Sequence, residues 1–303
     1  MARVVITQDR QEIGRAIDEA LGRLDLDALV RGKMVAVKPN ETWASPEDIS
    51  GVTQADSLRA TLRRLKEHNP RELIVSGGAG AAQTADVFRY AGLMDVIHDE
   101  GAEFFDHNQP PFVSVDLHYQ PEHDFAGPQQ AVMVNPRVLE YETLISLAQL
   151  KLHETATVTL SLKNIAMSFP AADYYGHPRA TQEHENSFFA DMHSFIVAMA
   201  QRFPIDLAII VGHPAMIASG PLGGKAVETG LVIAGTDPVA ADVVGARLLG
   251  FRPQGVRYLW EAGKIELGET KVDRIEFPAM SLEDAIGAFT EAAYGERLTF
   301  KHA

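Results

Sequence analysis

The fold is decided by residues 34–80, which read MVAVKPNETWASPEDISGVTQADSLRATLRRLKEHNPRELIVSGGAG. Two short apolar runs, Met34–Val37 and Leu73–Val75, enclose a helical pattern that begins at Ala55 and ends before Asn69-Pro70. Strands separated by a helix of this length are typical of a right-handed βαβ unit. This stretch therefore predicts a parallel sheet covered by helices.

The same alternation continues toward both ends of the chain. Further strand patterns occur at residues 4–6, 143–148, 207–211 and 231–234, and further helical patterns at 9–29, 84–90, 187–202 and 238–249. Asp237 directly before Pro238 is typical of a helix N-terminus. We predict an α/β protein with a largely parallel or mixed sheet flanked by helices, an arrangement that also allows two lobes with a cleft between them.

Two segments depart from the alternation. Between residues 101 and 140, strand patterns at 112–115 and 131–134 enclose a polar stretch, which predicts an antiparallel ribbon or a lobe boundary inside one α/β unit spanning 1–303. Residues 166–186 show no clear period, and a loop of this length is often functional. The aromatic, histidine and arginine content of residues 166–186 favours a functional segment over simple disorder, and the sequence leaves open whether this segment closes as a lid.

The composition excludes several classes of protein. The 303 residues contain no cysteine, so disulfides and an iron–sulfur cluster on this chain are excluded. The net charge of −14 disfavours nucleic acids and anionic membranes as partners. No apolar run approaches the roughly 18 residues of a membrane span, and the first residues resemble a strand rather than a secretory signal. We expect a cytoplasmic protein.

Lysine is scarce in the middle of the chain. Between Lys66 and Lys264 the only lysines are Lys151, Lys163 and Lys225, and each stands beside glycine, histidine or apolar residues. A lysine that only solvates the surface would be scattered among other charged residues. This distribution makes the three lysines candidates for binding an anionic small molecule.

Residues 151–164, KLHETATVTLSLKN, form the densest candidate site. Burial of Lys151 and Lys163 would require a compensating ligand or carboxylate, and it would lower a lysine pKa so that the amine could act as a base or nucleophile. His153 is the candidate proton shuttle, and Asn164 the neighbouring polar ligand group. A site shared by His153 and Lys163 requires a bend, which we expect to lead into a helix that begins near Thr157.

Three other groups of residues have both a binding and a structural interpretation. Gly78 and Gly80 form either a backbone cradle for an anion or a tight packing turn. Lys38 and Asn40 lie at the end of a strand, which is where open parallel sheets bind ligands. The alternative for Lys38 is a side chain that extends into solvent and binds nothing. The loop with Gly223 and Lys225 lacks the spacing of a nucleotide-binding P-loop and is either an anion clamp or a surface turn.

The segment that follows the densest site contributes further candidates. His177 lies between Gly176 and Pro178 and is a candidate second base or metal ligand, His184 is a second candidate metal ligand, and Arg179 is a candidate ligand-binding cation. The alternative for each histidine is a hydrogen-bonded structural role. A divalent metal is therefore allowed, whereas the HExxH pattern of zinc peptidases is absent from the sequence.

These motifs, in this order, resemble the family called domain of unknown function 362. The matching positions are Lys38-Pro39-Asn40, Lys151, His153, Thr159, Lys163-Asn164, Gly220-Pro221, Gly223, Asp237-Pro238, Ala240 and Asp242. The resemblance covers nearly the whole chain. Many members of the family carry an additional ferredoxin-like module, which this cysteine-free chain lacks.

A more distant similarity connects the same residues to nickel-dependent lactate racemases. These enzymes also place a histidine ten residues before a lysine, a spacing that His153 and Lys163 share. The resemblance implies a lysine that holds a nickel-pincer nucleotide, histidine proton shuttles, and His177 or His184 as a metal ligand. The glycine-rich sequence between the two racemase positions is replaced here by Thr155–Leu162.

Two functions are consistent with these observations. The first is an enzyme that acts on a carboxylate- or phosphate-bearing molecule by lysine and histidine acid–base chemistry, with racemisation or isomerisation as the leading reaction. The second is a non-catalytic accessory protein that binds an anion, cofactor or metal and serves a redox partner. The sequence leaves open whether the chain forms a homo-oligomer.

Overall fold

The computed structural model describes residues 1–122, 130–179 and 190–298. Within these ranges the strands are β1 (Ala2–Gln8), β2 (Met34–Pro39), β3 (Glu72–Gly77), β4 (Glu103–Asp106), β5 (Val113–Asp116), β6 (Ala131–Val134), β7 (Thr143–His153), β8 (Thr157–Thr159), β9 (Leu207–Ile217), β10 (Lys225–Val227), β11 (Leu231–Gly235) and β12 (Ile275–Glu276).

The helices of the described residues lie on both sides of these strands. They are α1 (Ile13–Leu21), α2 (Leu26–Val30), α3 (Ala55–Lys66), α4 (Thr84–Tyr90), α5 (Leu93–Asp99), α6 (Ser161–Ala166), α7 (Ala172–Tyr175), α8 (Met192–Arg202), α9 (Pro238–Leu248), α10 (Arg257–Lys264) and α11 (Leu282–Tyr294), with short 3₁₀ turns at Pro136–Leu139, Pro253–Gly255 and Val272–Arg274. No helix in the described part of the chain is both long and apolar enough to cross a membrane.

Ten strands form one mixed sheet, which confirms the predicted α/β class. Its order is β12-β1-β11-β9-β7-β2-β3-β4, with β10 paired to β9 and β8 paired to β7. The five strands β9-β7-β2-β3-β4 are parallel, whereas β11 runs antiparallel to both of its neighbours. Helices α1 to α5 pack on one face of the sheet and α6 to α11 on the other, so the sheet is covered by two apolar layers.

The predicted ribbon is confirmed, because β5 and β6 pair antiparallel as a separate two-stranded sheet. The division of the chain into two lobes remains a prediction.

The helix predicted over residues 9–29 is wrong in its length. The chain instead forms α1 and α2, because it turns after Gly22 and Asp25 caps a new helix by accepting a hydrogen bond from the Ala28 N–H at 3.3 Å.

The segment between His153 and Lys163 bends as predicted, although its helix begins later than Thr157. After a turn at residues 154–156, β8 pairs antiparallel with the end of β7, so that Thr159 faces Lys151 across the pair. Helix α6 starts at Ser161, where the Asp242 carboxylate accepts hydrogen bonds from the N–H groups of Ser161 at 2.7 Å and Leu162 at 3.1 Å. This capping directs Lys163 and Asn164 toward the carboxyl end of β2.

Candidate functional site

The candidate site lies where the connections of the parallel sheet diverge. The chain runs from β2 to β3, which pairs with one edge of β2. Strand β7 pairs with the other edge of β2, and the chain continues from β7 to β9 on that side, away from β3. Such a point leaves a crevice beyond the carboxyl ends of the two strands, where open α/β sheets bind ligands. The residues after β2, the turn after β3 and helix α6 meet in this crevice.

A buried polar network forms the floor of the crevice. Lys38 Nζ lies 2.6 Å from Glu41 Oε2 and donates a hydrogen bond to Asn164 Oδ1 at 2.9 Å. Asn164 in turn donates to the Lys38 carbonyl at 3.1 Å and to Ser146 Oγ at 3.0 Å. Burial lowers the pKa of Lys38 to about 8, although the Glu41 carboxylate opposes this shift. Lys38 is therefore an anchored, charged group at neutral pH.

The glycine turn after β3 is part of the same network. The Gly78 N–H and the Ser168 hydroxyl both donate to Glu41 Oε1 at 3.0 Å. The sequence suggested that the Gly78 N–H donates a hydrogen bond to a bound anion. It instead donates to a carboxylate of the chain itself. Glu41 and Ser168 were not among the predicted site residues, and Glu41 in the motif KPNE was the one signal that could have revealed this internal anion.

Gly78 leaves no room for a side chain. A Cβ atom at this position would lie 2.0 Å from Nε2 of the buried His107 ring. We expect Gly78→Ala to lower the free energy of unfolding by about 1–3 kcal/mol, the usual cost of overpacking a core. Urea unfolding measures this difference. Gly255→Ala is the matched control, because a Cβ there meets no atom of the described residues within 4 Å.

Arg179 closes the crevice from the other side. Its buried guanidinium donates to the carbonyl oxygens of Gly78 at 2.6 Å, Ser168 at 2.8 Å and Met167 at 2.9 Å, and to Asn108 Oδ1 at 2.9 Å. Burial lowers the pKa of Arg179 to about 10, so the group stays charged at neutral pH. Arg179 therefore fastens the chain after α7 to the glycine turn and adds a second fixed positive charge.

Lys163 contributes the third cation and differs from the other two. Its side chain is only 7% exposed, and no side chain or carbonyl within residues 1–122, 130–179 and 190–298 hydrogen-bonds to its amine. Burial, and secondly the charge of Lys38, lowers the pKa of Lys163 to about 7. Lys163 is consequently a mixture of charged and neutral amine at neutral pH, as in the activated lysines of enzymes.

These groups line a pocket with about 260 Å³ of empty space, part of which is open to solvent. Its described lining contains the cations Lys38, Lys163 and Arg179 but a single carboxylate, Glu41. Two buried polar atoms of the lining, Thr159 Oγ1 and Asn40 Oδ1, have no hydrogen-bond partner among the described residues. Unpaired buried polar atoms are costly, so a pocket with excess positive charge and a free hydroxyl donor, Thr159, is suited to an anion, whereas Asn40 Oδ1 can only accept a hydrogen bond from an N–H or O–H group of a ligand.

Two predicted site residues of β7 lie outside this lining. His153 Nδ1 accepts hydrogen bonds from the N–H groups of Thr155 at 3.1 Å and Ala156 at 3.2 Å, and burial lowers the pKa of His153 to about 2. Lys151 Nζ donates to the Gly51 carbonyl at 2.7 Å, and burial lowers its pKa well below the ordinary value. Both side chains support the local backbone in this structure, so catalysis by His153 and ligand binding by Lys151 remain predictions.

The placement of His153 gives a testable expectation. We expect His153→Ala to lower the free energy of unfolding by about 1–2 kcal/mol, because the buried N–H of Ala156 and the N–H of the exposed Thr155 lose their acceptor. Binding of inorganic phosphate in the pocket should change less than about twofold, which corresponds to roughly 0.4 kcal/mol. Chemical denaturation and calorimetric titration provide the two measurements. A loss of phosphate binding with normal stability would instead show that His153 contributes to the binding site.

The remaining predicted residues are dispersed. His177 Nε2 lies 2.8 Å from Asp173 Oδ1, and His184 falls in residues 180–189, outside the described part of the chain. Gly223 has a left-handed φ of 69° in an exposed turn, and Lys225 Nζ donates to the Ala293 carbonyl at 3.3 Å. The three described residues of this group lie outside the lining of the pocket around Lys163.

The described residues do not assemble a metal site beside Lys163. No group of three or more histidine, aspartate or glutamate side chains converges to hold a metal within residues 1–122, 130–179 and 190–298. The Nδ1 lone pair of His153 is already used by the backbone. Of the two histidines predicted as metal ligands, His177 pairs with Asp173, and His184 lies in residues 180–189, outside the described part of the chain. The metal and nucleotide hypotheses stay predictions, and none of the chemistry proposed for Lys163 depends on them.

A comparison with protein families shows which family the chain belongs to. Residues 35–247 match the family described as Domain of unknown function (DUF362). The chain belongs to this family. The match contains every described residue that lines the pocket, from Lys38 to Arg179, so the pocket belongs to the family's own part of the chain.

The other comparisons add little. No curated protein matches the sequence. Among solved structures, a crystal structure of a protein from Thermotoga maritima is similar at 11% identity with a TM-score of 0.43. The alignment covers 86% of this chain and 59% of that one, so this chain spans less than two thirds of its relative.

Proposed function

We propose that the protein is an enzyme that binds a small carboxylate- or phosphate-bearing molecule in this pocket, with Lys163 as its acid–base group. The observation that carries the proposal is the amine of Lys163, a residue only 7% exposed; this amine has no partner among the described residues and lies beside two anchored cations, Lys38 and Arg179. The anchored pair would hold the anionic group of the ligand. The neutral form of Lys163 would accept a proton from the bound molecule and its charged form would return one.

The proposal includes a dependence of binding on pH. The anion would stabilise the charged form of Lys163 and raise its pKa above the value of about 7 that burial imposes. Binding would therefore take up a proton, and affinity for sulfate, an anion that does not itself titrate in this range, should fall by up to about tenfold per pH unit above pH 7. Lys38, with a pKa of about 8, contributes in the same direction at higher pH.

Isothermal titration with sulfate at pH 6, 7, 8 and 9 tests this expectation in buffers of different ionisation enthalpy, which report proton uptake. In Lys163→Met we expect weaker binding at pH 6 and no proton uptake between pH 6 and 7, below the range in which Lys38 titrates. Lys225→Met is the matched control, because Lys225 lies outside the pocket. Binding that is equally strong in both variants would refute the site.

Turnover separates an enzyme from an accessory protein. Incubation of pyruvate with the protein in D₂O, followed by proton NMR, measures exchange of the hydrogens next to the carbonyl. We expect exchange that depends on Lys163 and is unaffected by Lys225→Met. Phosphate binding without catalysed exchange would leave the pocket as an anion-binding site and would remove the enzymatic part of the proposal.

A further inference from the structure

The Lys163 amine has the surroundings of a nucleophile as well as of a base. It extends from α6 into a pocket whose other lysine, Lys38, is held in place by Glu41 at 2.6 Å and by Asn164 at 2.9 Å. A buried lysine next to a second fixed cation is the arrangement that keeps an amine neutral and reactive toward carbonyl carbons. No carboxylate among the described residues pairs with Lys163 to hold it in the charged form.

We propose that Lys163 forms an imine with the carbonyl carbon of a small oxo-carboxylate bound in this pocket. The inference rests on the proposed function and extends it by naming the class of substrate and the bond that forms. An oxo-carboxylate matches the lining because its carboxylate can face Arg179 and Lys38 while its carbonyl reaches the Lys163 amine.

The chemical step balances without a cofactor. The lone pair of the Lys163 nitrogen forms a C–N bond to the carbonyl carbon, and the π electrons of the C=O bond move to oxygen. One proton passes from the nitrogen to this oxygen, and solvent at the open side of the pocket supplies a second. The C–O bond then breaks, water leaves, and the nitrogen lone pair completes the C=N bond of a protonated imine.

Thr159 is suited to assist this step. Its hydroxyl lines the same pocket, the residue is only 2% exposed, and the oxygen has no hydrogen-bond partner among the described residues. In the carbinolamine, the tetrahedral carbon bears a hydroxyl group that such an oxygen can hold by a hydrogen bond. The Thr159 hydroxyl, which has no protein partner among the described residues, would then gain a hydrogen bond when the intermediate forms.

Reductive trapping tests the inference on the intact protein. We would incubate the protein with pyruvate or glyoxylate and sodium cyanoborohydride at pH 7, measure the intact mass and map the modified peptide. The expected result is one reduced adduct per chain, located at Lys163, whose formation is slowed by competing inorganic phosphate. In Lys163→Arg the adduct should disappear, whereas Lys225→Arg, outside the pocket, should form it at the wild-type rate.

The outcomes distinguish this inference from the proposed function. Labelling of several lysines, or equal labelling in Lys163→Arg, would overturn the imine. Absence of an adduct while phosphate binding and deuterium exchange persist would also overturn it and would leave Lys163 as a base. Absence of all three would overturn the proposed function as well. Thr159→Val should slow trapping by about tenfold, the loss of roughly one good hydrogen bond, without weakening phosphate binding to the same extent.

Discussion

Lys38→Met is expected to lower the free energy of unfolding by about 3–5 kcal/mol, the usual cost of removing one partner of a buried ion pair. Lys38 and Glu41 are only 2% and 1% exposed, and their charged atoms lie 2.6 Å apart. Without Lys38, the carboxylate keeps the hydrogen bonds from Gly78 and Ser168 on one oxygen but loses the cation that compensates its burial. Urea unfolding at pH 7 measures the difference.

The double variant Lys38→Met/Glu41→Gln supplies the control. A glutamine side chain in place of Glu41 can still accept the hydrogen bonds from Gly78 and Ser168, but it carries no charge. We therefore expect the second substitution to restore at least about 2 kcal/mol of the lost stability, a coupling typical of residues in direct contact. Equal stability of the single and double variants would show that the cost of Lys38→Met is a packing effect and not an uncompensated charge.

Lys163→Met is expected to have the opposite effect and to raise the free energy of unfolding at neutral pH. The folded state holds the pKa of Lys163 near 7, against 10.5 for a solvated lysine. Between these two values the unfolded chain binds a proton that the folded chain does not, so the stability of the wild-type protein rises with pH across this window. At pH 7 the burial of Lys163 costs about 4 kcal/mol, at about 1.4 kcal/mol per pKa unit.

Urea unfolding of the wild type and Lys163→Met at pH 7, 8.5 and 10 measures this effect. The stabilisation by Lys163→Met should decline as pH rises and should be below about 1 kcal/mol at pH 10. Lys225→Met, at an exposed position, should show no such trend. A pH-independent stabilisation would mean that methionine packs better, and a destabilisation would mean that a partner compensates the Lys163 charge. Loss of ligand binding together with a gain in stability is common at active sites.

The fold could be predicted from the sequence where local patterns agree with tertiary pairing. The strand and helix patterns of residues 34–80 correspond to β2, α3 and β3, and the Asp237-Pro238 signal marks the start of α9. The pattern failed where pairing lengthens a strand. The apolar run at Thr143–Ala148 continues to His153, because β8 and β9 provide partners for residues that are polar in sequence.

The site could be predicted only in part. Lys38, Asn40, Lys163, Asn164 and Arg179 were candidates on the basis of their residue type and position, and the structure brings all five to one pocket. The sequence could not show that the Gly78 N–H is directed at Glu41, because a hydrogen bond between residues that follow different strands is set by their spatial neighbours. It also could not show that the His153 ring accepts hydrogen bonds from its own turn.

The sequence by itself determined the class of fold, the absence of cysteine chemistry and the scarcity of lysine in the middle of the chain. Those properties follow from composition and periodicity, which act along the chain. The tertiary structure alone decided that Lys38 is paired and that Lys163 has no partner among the described residues, although both are buried lysines. The physical reason is that the free energy of a buried charge depends on the nearest opposite charge and on access to water, and folding, not sequence distance, sets both.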